Sequence, residues 1–392
     1  VVNNISEIQY IIHIADLHIN EHRVFEYEQV FNNFINDLIS KMDLLKNKTI
    51  IVICGDIFHK KVHQKAESIN LWNKFIKKAC NLFPVVTITG NHDYDMKTSD
   101  IDWVSSTYKH DNFYHLNNLG PFEFNNIVFG ISPLRPNDQT IIYNMKKDDP
   151  KKTYIQLYHG TINGSLVFNN QMMESTCKIS DFGEFDALLL GDIHKMQYLD
   201  KYNRVAYSGS LIQQNKGESV FNHGYLLWDL KNDLQSEFVE VQNDYCYLKV
   251  TIMNSDYVYD KDIIGNKKKI IVTYVLMVSE YDHQIALFQT EMDKYNIHII
   301  SSEFDKCYNM TNIRAEEYKS VTYDKSSLEY LSDYLTLQKF DSDAINNICD
   351  IHKSIKVNDE TNISVSQWNI EYIEFKDVFC YGNNKINRIN FD

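Results

Sequence analysis

Along the first half of the chain, short runs of β-branched and aliphatic residues end abruptly in Asp, His or Asn. The pattern appears as IIHIADLH (11–18), IIVICGDIFH (50–59), VVTITGNHD (85–93), YIQLYHG (154–160) and ALLLGDIH (187–194). Apolar runs of this length, without an alternating polar face, predict strands buried on both sides. The segments between them follow another period. From Tyr27 to Met42 the apolar residues fall at 27, 30, 31, 34, 35, 38, 39 and 42, and a second set comprises Ile69, Trp72, Phe75, Ile76 and Ala79. Both sets have the 3.6-residue period of an amphipathic helix, with Trp72 and Phe75 expected in the core rather than against a subunit partner. Strands alternating with helices predict an α/β fold, in which ligand sites form at the carboxyl ends of the strands. The polar clusters should therefore converge on one edge.

The pattern changes around Gln242 to Tyr245. YLKVTIMNS, KKIIVTYVLMVSE, a helix carrying Ile285, Phe288, Met292 and Tyr295, and IHIISSEF predict a small β-β-α-β unit. Ser326-Ser327-Leu328-Glu329 then has the form of a capping box opening a helix, with Leu331, Tyr334, Leu335 and Phe340 on its stripe. A second short helix is expected after Asp341-Ser342, with Ile345, Ile348, Cys349 and His352. The tail reads as two strands around a turn at Gly382-Asn383-Asn384. These divisions suggest segments 1–240, 241–320, 321–360 and 361–392.

Charge narrows the possibilities. Over 392 residues, Lys and Arg number 39 against 53 Asp and Glu, a formal charge of −14. That excludes a uniformly basic nucleic-acid surface but allows a local basic track or a metal centre that draws phosphate. The longest apolar run, 270–278, is about half of a bilayer span, and no basic-then-apolar signal opens the chain. The seven cysteines, at 54, 80, 177, 246, 307, 349 and 380, form no CxxC pair and read as reduced thiols. An intracellular protein (nucleus, cytoplasm or nucleoid) that is not secreted and makes no membrane contact is the expectation. The chain opens on Val rather than Met, as a fragment or processed chain does.

The strand-end residues suggest chemistry. Asp16 and His18 form a D-x-H, Asp56 follows Gly55, and Asn91, His92 and Asp93 form G-N-H-D; His159, Asp192 and His194 complete the set. Carboxylates, an amide oxygen and imidazoles suit Mn²⁺, Fe or Zn²⁺. The ligands are too many for one ion. Two ions ~3.5–4 Å apart, sharing a carboxylate, would clamp a phosphodiester for in-line attack. Any one of these pieces is common; all of them in order, each ending an apolar run, carry the signal. Lys60, Lys61, His63, Lys65 and Lys195 lie beside the motifs and could touch a nucleic-acid backbone or serve as ordinary solvated residues.

DLH (16–18), GDIFH (55–59), GNHD (90–93), YHG (158–160) and GDIH (191–194) resemble the calcineurin-like metallophosphoesterase signature. GDIFH, together with GDIHK and the Y-S-G-S-L-I-Q-Q-N-x-G-E segment at 207–218, resembles more narrowly the Mre-eleven/SbcD nucleases of double-strand-break repair. The likeness runs over roughly residues 8–320. It implies a central β-sandwich flanked by helices, a small α+β DNA-capping domain at 241–320, and two Mn²⁺, with Mg²⁺ or another divalent ion as substitute. Asp16, His18, Asp56 and His194 would hold one ion, and Asp56, Asn91, His159 and Asp192 the other, with Asp56 bridging. His92 would be the general acid or transition-state stabiliser, and His59 would bind the scissile phosphate. One position departs from the family: Asp192 stands where G-H-x-H usually has its first His. An Asp there either coordinates through oxygen, favouring Mn²⁺ or Mg²⁺ over Zn²⁺, or damages the second metal site.

The tail, WNIEYIEFKDVFCYG and onward, resembles the opening strands of the SMC-like ATPase partner Rad-fifty/SbcC. No G-x-x-x-x-G-K-[ST] occurs in this sequence, so a natural chain continuing into an ATPase is one expectation and a terminal hairpin the other. The helical segment at 321–360 would dock that partner, or else pack back on the chain. The resemblance implies a DNA exonuclease on duplex ends and endonuclease on single strands and hairpins, acting as a homodimer in repair or recombination. Two rivals stand beside it: another calcineurin-like phosphatase or phosphodiesterase, and a catalytically weak DNA-end scaffold.

Overall fold

The computed structural model describes residues 7–94, 102–133, 141–167, 170–253, 255–278 and 281–305, and the backbone of 372–376 and 386–390. The two helices expected at 321–360, the turn at Gly382 to Asn384, and Cys307, Cys349 and Cys380 lie outside the described residues. The chain divides into two units, Val1–Asn309 and Met310–Asp392.

The first unit is α/β. Its apolar runs form parallel strands β1 (Tyr10–Ile14), β2 (Thr49–Cys54) and β3 (Val85–Ile88), every residue of which is buried. Helix α1 (Val24–Ser40) follows β1, a short α2 (Met42–Leu45) precedes β2, and α3 (Ala66–Leu82) joins β2 to β3. A single-turn α4 (Trp103–Thr107) leads to β4 (Phe113–His115), which pairs parallel with β3. β11 (Gly224–Asp229) returns antiparallel to β1, and β12 (Gln235–Glu240) closes the sheet in the order β12-β11-β1-β2-β3-β4.

A second six-stranded sheet runs β5-β6-β7-β8-β10-β9. Its strands are β5 (Gly120–Phe124), β6 (Ile127–Ser132), β7 (Thr153–His159), β8 (Ala187–Gly191), β9 (Gln197–Tyr198) and β10 (Val205–Tyr207). β6, β7, β8 and β10 are parallel. The sheets pack face to face: Ile11, Ile50, Val52, Val86 and Ile88 of the first meet Phe129, Ile155, Leu157 and Leu189 of the second. The other face of the first sheet is covered by α1 and α3, where Tyr27, Phe31, Phe34, Trp72 and Phe75 fill the core. Phe31 and Phe75 stack with ring centroids 4.2 Å apart. Trp72 and Phe75 are thus core residues. α1 closes at Ser40, and Ile39, on the expected stripe, remains 49% exposed. The outer face of the second sheet is covered by loops and a short 3-10 turn (Ile179–Phe182) carrying Ile162, Ile179, Phe182 and Phe185.

β13 (Tyr245–Ile252), β15 (Lys269–Leu276), α5 (Asp282–Lys294) and β16 (His298–Asp305) form the β-β-α-β unit, with a two-residue β14 (Tyr257–Val258) inserted as an edge strand. Phe288 and Met292 of α5 pack on Leu248, Val250, Val272 and Tyr274. In the second unit, β17 (Tyr372–Lys376) and β18 (Ile386–Asn390) pair antiparallel, Tyr372 opposite Asn390. Cys54, Cys80, Cys177 and Cys246 are free thiols. No helix among the described residues is long and apolar enough to cross a membrane.

Candidate metal centre

Each of the strands carrying the motifs ends at the same edge. Asp16 and His18 follow β1, Asp56 follows β2, Asn91 and His92 follow β3, His159 ends β7, and Asp192 and His194 follow β8. The backbone turns sharply there. Asp16, His18, Asp56 and Asp192 have φ of 53°, 43°, 54° and 99°. Residues bearing a Cβ rarely adopt this left-handed region, and a concentration of them marks a backbone over-determined by its surroundings. Gly90 meets a different constraint: a methyl there would lie 2.2 Å from Asp56 Oδ1.

The side chains converge around Asp56. His159 Nε2 lies 3.3 Å from Asp56 Oδ1, and His18 Nε2 lies 3.3 Å from Asp56 Oδ2. One carboxylate thus faces an imidazole with each oxygen, as a bridging ligand must. His18 Nε2 also lies 3.0 Å from His194 Nε2. Donor atoms of Asp16, His18 and His194, of Asp16, Asp56 and His159, and of His18, Asp56 and His92 each gather within 4.8 Å of one another. Asp192 stands at the margin. Its Oδ1 is 4.0 Å from His159 Nε2, its Oδ2 accepts from the Thr161 hydroxyl at 2.7 Å, and its N–H donates to both Asp16 oxygens. His92 and His59 sit beside His18, with ring centroids 4.7 and 5.8 Å away.

These residues fit a pair of divalent cations. His159 Nε2 and Asn91 Oδ1 are buried without a hydrogen-bond partner among the described residues. Such atoms are costly unless an electrophile meets them. Two of the imidazoles have their other nitrogen already committed: His159 Nδ1–H donates to the Cys54 carbonyl at 2.8 Å, and His194 Nδ1–H to Glu218 at 2.8 Å. Both rings are thereby fixed with Nε2 as the ligating atom.

The electrostatics agree. Burial pushes the Asp16 carboxyl up to about 7. Burial opposes charge on His194, yet Glu218 and Asp16 lift it to about 9. His159 is likewise held well above its ordinary value by Asp56, and Asp56 below its own by His159 and His18. Protons occupy nitrogens that the geometry offers to cations, so ions and protons compete for the same atoms.

The structure brings Asp16, His18, Asp56, His92, His159 and His194 into shared donor groups, with Asp192 and His59 against them. Asn91 adjoins through His92, whose backbone N–H donates to Asp56 Oδ1 at 2.8 Å. Sequence reasoning assigned no role to three supporting residues. Glu218 orients His194, and Thr161 holds Asp192. Asp93 accepts the backbone N–H groups of Ile57, Phe58 and Gly90, tying the β2 and β3 loops together. Glu218 and Asp93 left a sequence signal, as the last residue of the 207–218 segment and as the Asp of G-N-H-D; Thr161 left none. Of the flanking lysines, Lys60 and Lys65 are paired with Glu21.

The sequence profile of the calcineurin-like phosphoesterases matches residues 10–206. An uncharacterized protein of Acanthamoeba polyphaga mimivirus is 30% identical over 414 residues, covering 99% of this chain, which spans 30% of that relative's length. The SbcD component of the nuclease SbcCD of Staphylococcus saprophyticus is 24% identical over 57% of this chain and 66% of its own. The same component from Staphylococcus epidermidis is 22% identical over 79% of this chain and 96% of its own. With the profile covering half of the sequence and its motif residues gathered at one sheet edge, the chain belongs to the calcineurin-like phosphoesterases, hydrolases that act on phosphoesters with divalent metals.

Proposed function

We propose that this protein is an Mn²⁺-dependent nuclease that hydrolyses DNA phosphodiesters, attacking duplex ends as an exonuclease and single strands or hairpins as an endonuclease. The observation that carries this reading is the overlap of two donor groups, Asp16/His18/His194 and Asp16/Asp56/His159, beside the exposed His59 and partly exposed His92. Asp16, His18, Asp56 and His194 would hold one ion; Asp56, Asn91, His159 and Asp192 the other. Bound there, a pair of divalent ions supplies Lewis-acid activation of water and neutralises phosphate charge.

The chain's own groups do the rest. His92 Nδ1–H donates to the His59 carbonyl, which leaves Nε2 to hold or give a proton at the leaving oxygen. The same hydrogen bond ties together the two loops that carry His92 and His59. The exposed His59 imidazole, 6.1 Å from that of His92, is placed to contact a phosphate oxygen. The His92 backbone N–H holds the Asp56 carboxylate between His18 and His159, where it would serve both ions.

The name of the staphylococcal relatives supports the nuclease reading, and the β-β-α-β sheet at 245–305 supports a capping domain at 241–320 beside the phosphoesterase domain at 1–240. The β17–β18 pair supports reading 361–392 as the start of an SMC-like ATPase head, with 321–360 docking it. A homodimer working inside the cell on DNA completes the proposal.

An end-labelled duplex assayed in Mn²⁺ and in Mg²⁺ tests it. Cleavage should require the ion and fall ~10²- to 10⁴-fold in His92→Ala while ion stoichiometry holds. Turnover of a small phosphomonoester with duplex and single-stranded DNA left intact would replace this reading with a phosphatase. The engagement of Asp192 by Thr161 favours a second reading, an end-binding scaffold, marked by DNA binding without cleavage in either ion.

A further inference from the structure

The segment Gln213–Glu218 touches the metal centre at two points and the β13–β16 sheet at two others. At the centre, Glu218 accepts from His194 Nδ1–H, and Gln214 Nε2 donates to the carbonyls of Asp16 and Leu17, each at 3.2 Å. Glu218 is itself held in place: its carboxylate accepts the Gln214 backbone N–H at 2.7 Å and the Asn215 amide at 2.6 Å. Toward the sheet, the buried Gln213 amide takes both backbone groups of Tyr247 in β13. Its Oε1 accepts Tyr247 N–H at 2.8 Å, and its Nε2 donates to Tyr247 O at 3.3 Å and to Glu218 O at 3.0 Å. Lys216 pairs with Glu303 of β16 at 3.0 Å. That pair is exposed, so Gln213 is the stronger tie.

Tyr247 also meets the centre from the other side. Arg23, in the loop that carries Asp16 and His18 into α1, lies with its guanidinium 4.7 Å from the Tyr247 ring centroid. Arg23 is locked to Glu26 through two hydrogen bonds, and Glu26 accepts from Asn243 just before β13. One residue of the small sheet is therefore gripped by both loops that shape the Asp16/His18/His194 group.

We infer that Glu218 is the positioning residue of the ion held by Asp16, His18 and His194, and that Gln213 makes its position depend on the seating of the β13–β16 sheet. A substrate or partner that shifts this sheet would tighten or loosen that ion more than the His159 ion, which shares only Asp16 with it among the two donor groups. Thr161, Cys54 and Asp93, which support the other group, make no hydrogen bond to the sheet among the described residues. The inference rests on the metal-centre reading above.

Calorimetric titration of the full chain with Mn²⁺ tests it, using stoichiometry and affinity rather than activity. Glu218→Ala should weaken one of two ions ~10- to 100-fold, with Glu218→Gln, which keeps one acceptor for Nδ1–H, falling between it and the parent. Gln213→Met keeps the buried volume but loses the Tyr247 bonds; it should weaken the same ion roughly 2- to 30-fold without touching a ligand. Lys231→Ala, which breaks a remote exposed pair with Glu7, serves as the unaffected control. Melting in chelator confirms that each variant is folded. Parental affinity for both ions in Glu218→Ala overturns the positioning role, and parental affinity in Gln213→Met overturns the coupling. A parent that binds both ions yet cleaves no DNA removes the nuclease reading alone.

Discussion

Single residues at the centre serve by what their second polar atom is doing. His194 is the clearest case: Glu218 holds Nδ1–H, which leaves Nε2 free to face an ion, and against the effect of burial the same carboxylate, with Asp16, lifts the ring to about 9. An ion must displace a proton from that ring below this pH. Mn²⁺ affinity should therefore rise as pH rises toward 9, and binding at pH 7 should release protons. Titration in two buffers of different ionisation enthalpy measures this; equal heats in both would contradict it. Asp93 acts through backbone alone. Burial, then Asp56, pushes its carboxyl up to about 7, and it still gathers three N–H groups from two loops. Asp93→Ala should cost about 3 kcal/mol of stability and weaken ion binding, read by denaturant unfolding with and without Mn²⁺. The motifs made the residues of the donor groups legible, because D-x-H and G-N-H-D sit where strands end. Thr161 and Asp93 were not legible in their roles, since a hydroxyl 31 positions from its carboxylate, or a carboxylate serving amides 35 and 36 positions away, leaves no local spacing.

Buried elements were legible where their apolar run ended in a polar motif or kept a helical period; β6 and β11, equally buried but without such a motif, were not singled out. β1, β2, β3, β7 and β8 lie in the interior of the sandwich and read as unbroken apolar runs; α1 and α3 bury one stripe each and read as helices. β9 and β14 are two-residue edge strands, and β12 alternates exposed and half-buried positions at the end of its sheet, so tertiary pairing and not composition creates them. Two substitutions separate scaffold from site at this scale. Trp72→Ala empties the space between α3 and the first sheet and should cost about 3–5 kcal/mol in denaturant while ion affinity in the folded protein holds. Gly90→Ala does the opposite: it drives a methyl into Asp56 where the β2 and β3 loops cross, so ion binding should be lost with a smaller change in unfolding.

For the whole molecule, a charge of −14 means that attraction for a phosphoester has to come from cations held at the metal centre rather than from the protein surface as a whole. Filling that centre should also stabilise the fold, by about 2.7 kcal/mol at an ion concentration a hundred times the dissociation constant. Melting in Mn²⁺ and in chelator measures the difference, and coincident transitions would contradict a resident ion.

The ligands have a further geometric property. Asp16, His18 and Asp56 leave the first sheet, while His159, Asp192 and His194 leave the second, across an interface that is filled mainly by apolar side chains and crossed by a few hydrogen bonds such as that of His13 Nε2 with the Leu190 carbonyl. An ion lodged among them acts as a rivet through both plates of the sandwich at its mouth. Greasy layers can slide; riveted ones cannot, and two rims pinned at one point keep their spacing.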